Sequence, residues 1–289
     1  MAIVFQRASA AAVGTGSLTF DIGAAGNNRL VVIQNGDEST GTDDVFIGTV
    51  TVDTKSATGR LAKTNPDGAG NVQEFYTIDE AALGSSNGSV TIAWTGLDTG
   101  WGKRAALWYG VDSGVPTDTA FNDTAIGPTT PDIVMSVPAN GLAVYGAGNG
   151  SSGGTDTWTS PLTERIDGAT LPPASAVLGL AEGIETSAQT DKTYACAIGA
   201  TLRSTGLGMA FAEAVSLTSD QEGYRWRDDD GSESAATWLA AQDTNITRAI
   251  STNTRLRILT DYTGDPATQQ MTLQYRKVGD AATEWRAIP

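Results

Sequence analysis

The residue types that carry most protein chemistry are scarce in this chain. No histidine occurs among its 289 residues, which removes the commonest general base and the commonest zinc ligand. Ser-His-Asp and Cys-His catalysis and imidazole-built metal sites go with it. The single cysteine, Cys196, lies in the apolar run Tyr194-Ala195-Cys196-Ala197-Ile198 and reads as a buried small hydrophobe, which excludes intramolecular disulfides and thiolate clusters. Gly148-Asn149-Gly150-Ser151-Ser152-Gly153 spells a dinucleotide fingerprint, but that chemistry needs a helix N-terminus directly behind the loop. The following stretch from Thr155 to Pro161 is not helical in character, so the segment reads as a surface loop. Asp228-Asp229-Asp230-Gly231-Ser232-Glu233 has the composition of acidic, glycine-bent calcium loops. Lacking the EF-hand spacing, it reads instead as a hairpin turn at Asp230-Gly231 with its acids opposite Arg225 and Arg227. Glycoside hydrolysis requires only two carboxylates across a cleft, for which pairs such as Glu182 with Glu185 or Asp79 with Glu80 exist; in so acidic a chain they read as solvated surface, and no pair stands out. Of seven tryptophans and seven tyrosines, Trp101 and Trp158 fall in glycine-rich loops where a ring could meet a sugar face. Trp94, Trp108, Trp226 and Tyr275 alternate within strands and read as core. No catalytic, cofactor-binding or metal-binding residue is assigned.

The elements that would position these residues are strands. Strand-like segments recur over Ser17–Ile22, Arg29–Gln34, Val45–Val52, Glu74–Ile78, Ser89–Trp94, Arg104–Val111, Ile133–Val137, Leu142–Tyr145, Ala176–Leu180, Tyr194–Leu202 and Leu207–Val215, often with clean alternation, as at Leu18, Phe20 and Ile22 or Val90, Ile92 and Trp94, the period of strands with one face buried and one wet. Turn residues separate them, and 34 glycines and 10 prolines interrupt nearly every window long enough for an amphipathic helix. Two short helical turns remain: Asp79 to Gly84, capped by its glycine, and the alanine-rich Ser234 to Ala241. No repeat of roughly 20–50 residues is visible, so a solenoid or propeller is disfavoured. Many short strands with this punctuation predict an all-β fold of sandwich or jelly-roll type.

Thirty-three acidic against 18 basic residues give a net charge of −15, which repels nucleic acid and anionic membranes. The imbalance is uneven: residues 1–217 hold 22 acids and 10 bases, residues 218–289 hold 11 and 8, so the near-balanced C-terminal part is the better protein-docking candidate. Met1 to Arg7 has its basic residue after a short apolar run and fails as a secretory signal. No stretch approaches the roughly 20 apolar residues of a membrane helix. The expectation is a protein made soluble in a cytoplasm that leaves only as part of something larger.

From Gly223 onward the run Tyr224-Arg225-Trp226-Arg227-Asp228-Asp229-Asp230-Gly231-Ser232-Glu233, with Met271, Leu273 and Tyr275 alternating later, resembles a β module of structural proteins of tailed bacteriophages. In those proteins it sits at the C-terminus behind another β domain. A looser likeness, on Asn28 to Val32, Trp101-Gly102 and Pro138 to Leu142, is to a β-sandwich of phage and bacterial surface proteins. These resemblances imply a jelly-roll-like sandwich over residues 1–217 followed by a small immunoglobulin-like sandwich over 218–289. They also imply a virion location, other virion proteins of a capsid or tail lattice as partners, homo-oligomers, and no cofactor. Head decoration is favoured over a long fibre because coiled-coil heptads are missing. A tail-associated carbohydrate-binding or adhesion role is the alternative.

Overall fold

A computed structural model describes the chain apart from residues 11, 14–15, 40–47, 65–69, 97–100, 126–130, 150–155, 167–176, 199–203, 216–217, 230–234, 236, 250–251, 264–273, 276–285 and 288–289. The fold is all-β, and it divides into two compact units, Met1–Ala214 and Val215–Pro289. Among the described residues no helix is long and apolar enough to cross a membrane.

The first half of Met1–Ala214 runs β1 (Val4–Ala8), β2 (Ala12–Val13), β3 (Leu18–Asp21), β4 (Leu30–Ser39), β5 (Thr49–Val52), β6 (Lys55–Ser56), β7 (Thr58–Thr64), β8 (Gly70–Asp79), α1 (Glu80–Leu83), β9 (Ser89–Thr95) and β10 (Gly102–Tyr109). The second runs β11 (Asp118–Ala125), β12 (Ile133–Val137), β13 (Gly141–Asn149), β14 (Asp156–Trp158), β15 (Thr163–Ile166), β16 (Val177–Glu185), β17 (Gln189–Tyr194), β18 (Cys196–Ile198) and β19 (Ser204–Phe211). The single turn α1 forms where expected: the Asp79 side chain accepts from the Ala82 N–H and Gly84 follows at φ 56°, the conformation glycine tolerates best.

The two halves are built alike. The large sheet of the first is ordered β1-β10-β4-β8-β7, with β2 also pairing β10, and that of the second β11-β19-β13-β16-β15, the same order along the main path. The small sheet β3-β9-β5-β6 has its counterpart in the pairs β12-β17 and β14-β18, with β9 answered by two shorter strands. The likeness extends to detail. Asn28 and Asn140 both take positive φ, 50° and 56°, at the entries to β4 and β13. The β7–β8 ladder slips between Gly59 and Leu61, and the β15–β16 ladder between Glu164 and Ile166, so each bulge carries an arginine, Arg60 or Arg165. From there Arg60 Nε donates to Thr77 Oγ1 and Arg165 Nε to Glu182 Oε1, both at 2.8 Å, and Thr77 and Glu182 hold equivalent register positions. The sandwich expectation therefore holds, with two sandwiches in tandem inside this unit.

The sandwiches stack through their large sheets, β7 lying against β11 and β1 against β15, an exchange of equivalent edges of the kind a two-fold axis produces. Four layers enclose three cores. Val31, Ile33, Tyr76, Ala105 and Leu107 face the first small sheet. Leu30, Val32, Phe75, Ala106 and Trp108 meet Leu142, Val144, Leu180, Leu207, Met209 and Phe211 between the large sheets. Ala143, Tyr145, Ala147 and Ala210 face Ile133, Met135, Val137, Tyr194 and Cys196. This corrects the expectation of one wet face for the central strands. Strands β4, β10, β13 and β19 are covered on both sides, which is why their sequences are near-continuous apolar runs, and each large side chain hidden there contributes about 1.5–3 kcal/mol. Strands β9 and β12 keep the expected alternation.

The middle core closes tightly at β13. A Cβ on Gly146 would lie 2.4 Å from Phe75 Cζ and 2.7 Å from Gln34 Nε2, and one on Gly148 2.6 Å from Gln73 Nε2. The glycines admit these side chains, and Gln34 Nε2 then donates to Gln73 Oε1 at 3.0 Å and to the Gly179 carbonyl at 3.2 Å, while Gln73 Nε2 donates to the Thr205 carbonyl at 2.7 Å. Both amide nitrogens are thereby satisfied between the sheets, while Gln34 Oε1 is buried there with no hydrogen-bond partner.

Candidate functional site

The carboxylate pairs singled out in the sequence are brought to structural partners and not to each other. Glu182 is 4% exposed and accepts from Trp108 Nε1 and from Arg165, while Glu185, an odd number of residues on and so on the opposite face of β16, accepts from Lys192 Nζ at 2.6 Å and Tyr194 Oη at 2.9 Å. Burial and the Glu185 carboxylate push the Tyr194 phenol up. Asp79 caps α1 and also accepts from the Gly114 N–H at 2.7 Å. Glu80 forms a bidentate pair with the fully buried Arg29, at 2.8 and 2.7 Å. Burial alone would raise the Glu80 carboxyl, but the bonds from the Arg29 side chain, the Gly26 and Arg29 N–H groups and the Arg29 charge together hold it below the ordinary carboxylate value.

Neither loop tryptophan forms a platform. Trp101 is 2% exposed inside the first core, and Trp158 packs edge-on to Tyr145 at 5.1 Å. Trp94 and Trp108 are core as expected, whereas Trp226, expected there too, is only half-buried. Of the glycine fingerprint, Gly148 and Asn149 belong to β13 and the remainder lies outside the described residues, as do Asp230-Gly231 and the side chain of Tyr275.

What the sequence missed lies in the second unit, on β20 (Thr218–Asp228) and β21 (Thr254–Thr263), which pair antiparallel; two further short strands, β22 (Gln274–Tyr275) and β23 (Arg286–Ala287), pair with each other. The register sets Arg225 directly opposite Arg257 and Arg227 directly opposite Arg255, so four arginines share one face of the ladder. Like charges directly opposed across a ladder repel. This replaces the expected pairing of Arg225 and Arg227 with the acidic turn. Asp229 instead accepts from Arg255 Nε at 2.6 Å, and Asp228 from Arg248. Of the segment expected as a helical turn at Ser234 to Ala241, Ser234 and Ala236 lie outside the described residues, and the stretch from Thr237 lies along the other edge of β20: Trp238 bridges Arg227, the Asp228 N–H donates to the Thr237 carbonyl, and the Leu239 N–H donates to the Trp226 carbonyl.

That course places the Trp238 ring beneath the arginines, Arg225 Cζ at 4.3 Å and Arg227 Cζ at 5.0 Å from its centroid, within cation–π range. Arg225 Nε donates to the Ala240 carbonyl at 3.0 Å, fixing its guanidinium. An open groove of about 330 Å³ results, lined by Tyr224, Arg225, Trp238, Gln242, Arg257, Ile258 and Leu259. Its aromatic floor is 39% exposed and its rim residue Leu259 50%. Guanidinium groups hold anions but do not exchange protons, so the groove is suited to gripping a carboxylate beside a flat apolar surface. The signal was present as two Arg-x-Arg strands, Arg225-Trp226-Arg227 and Arg255-Leu256-Arg257, but only the pairing joins them. Among the described residues, no group of three or more acidic or cysteine side chains is placed to hold a metal ion.

Comparison with protein-family models, with curated proteins and with solved structures finds no match.

Proposed function

We propose that this chain is a structural protein of a bacteriophage particle, a capsid-decorating or head-surface accessory protein that docks on the shell lattice. The observation that carries the reading is the doubled sandwich: two large sheets whose central strands are covered on both faces, with candidate acids such as Glu182 and Glu185 engaged in interior bridges, make a stiff body suited to bearing load. The acidic charge of the chain favours an outward-facing position over contact with packaged DNA. Mass spectrometry and antibody labelling of particles purified from producing cells test it: the chain should be present at the head surface, and its absence from intact particles would end the proposal.

A second reading, a tail-associated adhesin, draws on the groove at Trp238. It requires retention of the protein on a glycan array by uronic-acid sugars and loss of that retention in Arg225→Ala. An array without hits removes it.

A further inference from the structure

Three buried polar residues form a straight row across the first large sheet. Lys103 on β10 lies directly opposite Asn35 on β4, and Asn35 directly opposite Glu74 on β8. All three are 0% exposed and point toward the first small sheet, the side on which Ile33, Tyr76 and Ala105 pack. Trp94 Nε1 donates to Asn35 Oδ1 at 2.8 Å and Asn35 Nδ2 donates to Glu74 Oε2 at 3.2 Å. Because an indole N–H can only donate, it fixes which end of the amide is the carbonyl. Lys103 Nζ stands 4.8 Å from the centre of the Trp94 ring.

The fold does not require this row. In the second sandwich the equivalent positions are Gly206, Ala147 and Gly179, paired in the same register. Hiding an amine and a carboxylate in a core is costly compared with such small apolar residues. Its retention points to chemistry that works in a dry site: a nucleophile, an electrophile and a proton carrier side by side.

We propose that Lys103 and Asn35 become joined by an intramolecular isopeptide bond, with Glu74 as the proton carrier. The neutral Lys103 amine attacks Asn35 Cγ, forming the new C–N bond, while the negative charge gathering on Oδ1 is held by the Trp94 N–H, as in an oxyanion hole. Glu74 takes a proton from Nζ and delivers it to Nδ2, its own hydrogen-bond partner. The Cγ–Nδ2 bond then breaks and ammonia leaves. One amine and one primary amide become one secondary amide and ammonia, with no oxidant and no cofactor. Burial lowers the pKa of Lys103, which favours the neutral amine the attack needs. The bond would clamp β4 to β10 covalently and close the chain between them.

Intact-mass measurement of the purified full chain tests this independently of where the protein acts. The expected mass falls short of the sequence by one ammonia, digestion yields a branched peptide pair joining Asn35 to Lys103, and Lys103→Arg and Glu74→Gln both restore the full mass. Since Asn35 precedes Gly36, the same deficit can come from a cyclic imide at Asn35. An imide is cleaved by hydroxylamine and persists in Lys103→Arg, and finding it in place of the branched pair overturns the proposal. A folded wild-type chain of full mass with unmodified Asn35 overturns it equally.

Discussion

Substituting alanine at Gly146 tests the stacking of the two sandwiches. The added Cβ would sit 2.4 Å from Phe75 Cζ, 3.0 Å from Phe75 Cε1 and 2.7 Å from Gln34 Nε2, against an ordinary contact of 3.4 Å or more. Phe75 and Gln34 are 0% and 1% exposed, so neither can swing into solvent, and overpacking should cost about 3 kcal/mol, the upper end of its usual range. For a unit of this size that lowers the unfolding midpoint by about 6–12 °C. Phe75→Leu alone should cost about 1.5 kcal/mol of lost packing. It also vacates the space the new methyl needs, so the double variant should cost about 2 kcal/mol, a coupling of about 2.5 kcal/mol between residues of different sandwiches. Urea unfolding followed by tryptophan fluorescence gives all three values. Gly183→Ala is the control, because its Cβ meets Pro161 Cγ at an ordinary 3.4 Å. Additive effects of the Gly146 and Phe75 changes would refute the described approach of the sheets.

Glu80 titrates below its ordinary value, so its stabilisation is complete above the unfolded-state value of about 4.5 and is lost as pH falls through the lower folded-state value. Glu80→Gln should flatten acid unfolding measured by circular dichroism in that window, and an unchanged acid profile would count against the Arg29 pair. Glu182→Ala strands Arg165 and the Trp108 N–H between the sheets and should cost about 3 kcal/mol, whereas Thr77→Ala at the equivalent position should cost about 1 kcal/mol; equal losses in thermal unfolding would contradict the geometry. Because Arg225 faces Arg257, raising the salt from low to about 1 M should stabilise the second unit of the wild type by a few tenths of a kcal/mol more than that of Arg257→Gln. Equal salt dependence of the two in urea unfolding would show that the facing arginines do not repel.

What the sequence revealed depended on how each strand is covered. Ile133–Val137 alternates buried with less buried residues along its length, and its bounds were legible to the residue. Strands β4 and β10 were found but misread, because an apolar run does not announce whether its second face meets water or another sheet. Strands β1, β7 and β11 were missed, since Val4–Ala8, Thr58–Thr64 and Asp118–Ala125 mix small and polar residues and lie at or near sheet edges. The repeat was invisible because it is preserved in strand order and bulge position, while Gly206, Ala147 and Gly179 stand where Lys103, Asn35 and Glu74 do. The groove and the buried row share one reason for escaping notice: each is assembled by register between strands far apart in the chain, and no local spacing encodes register.

Because the central strands of the paired large sheets are covered on both faces, substitutions there must preserve volume and polarity at once, and change can accumulate mainly on the outer layers and connecting loops. In a protein so constructed, strand order can outlast likeness of spelling. Kinship is best sought by superposing one half on the other, then carrying that single half, not the whole chain, to candidate ancestors.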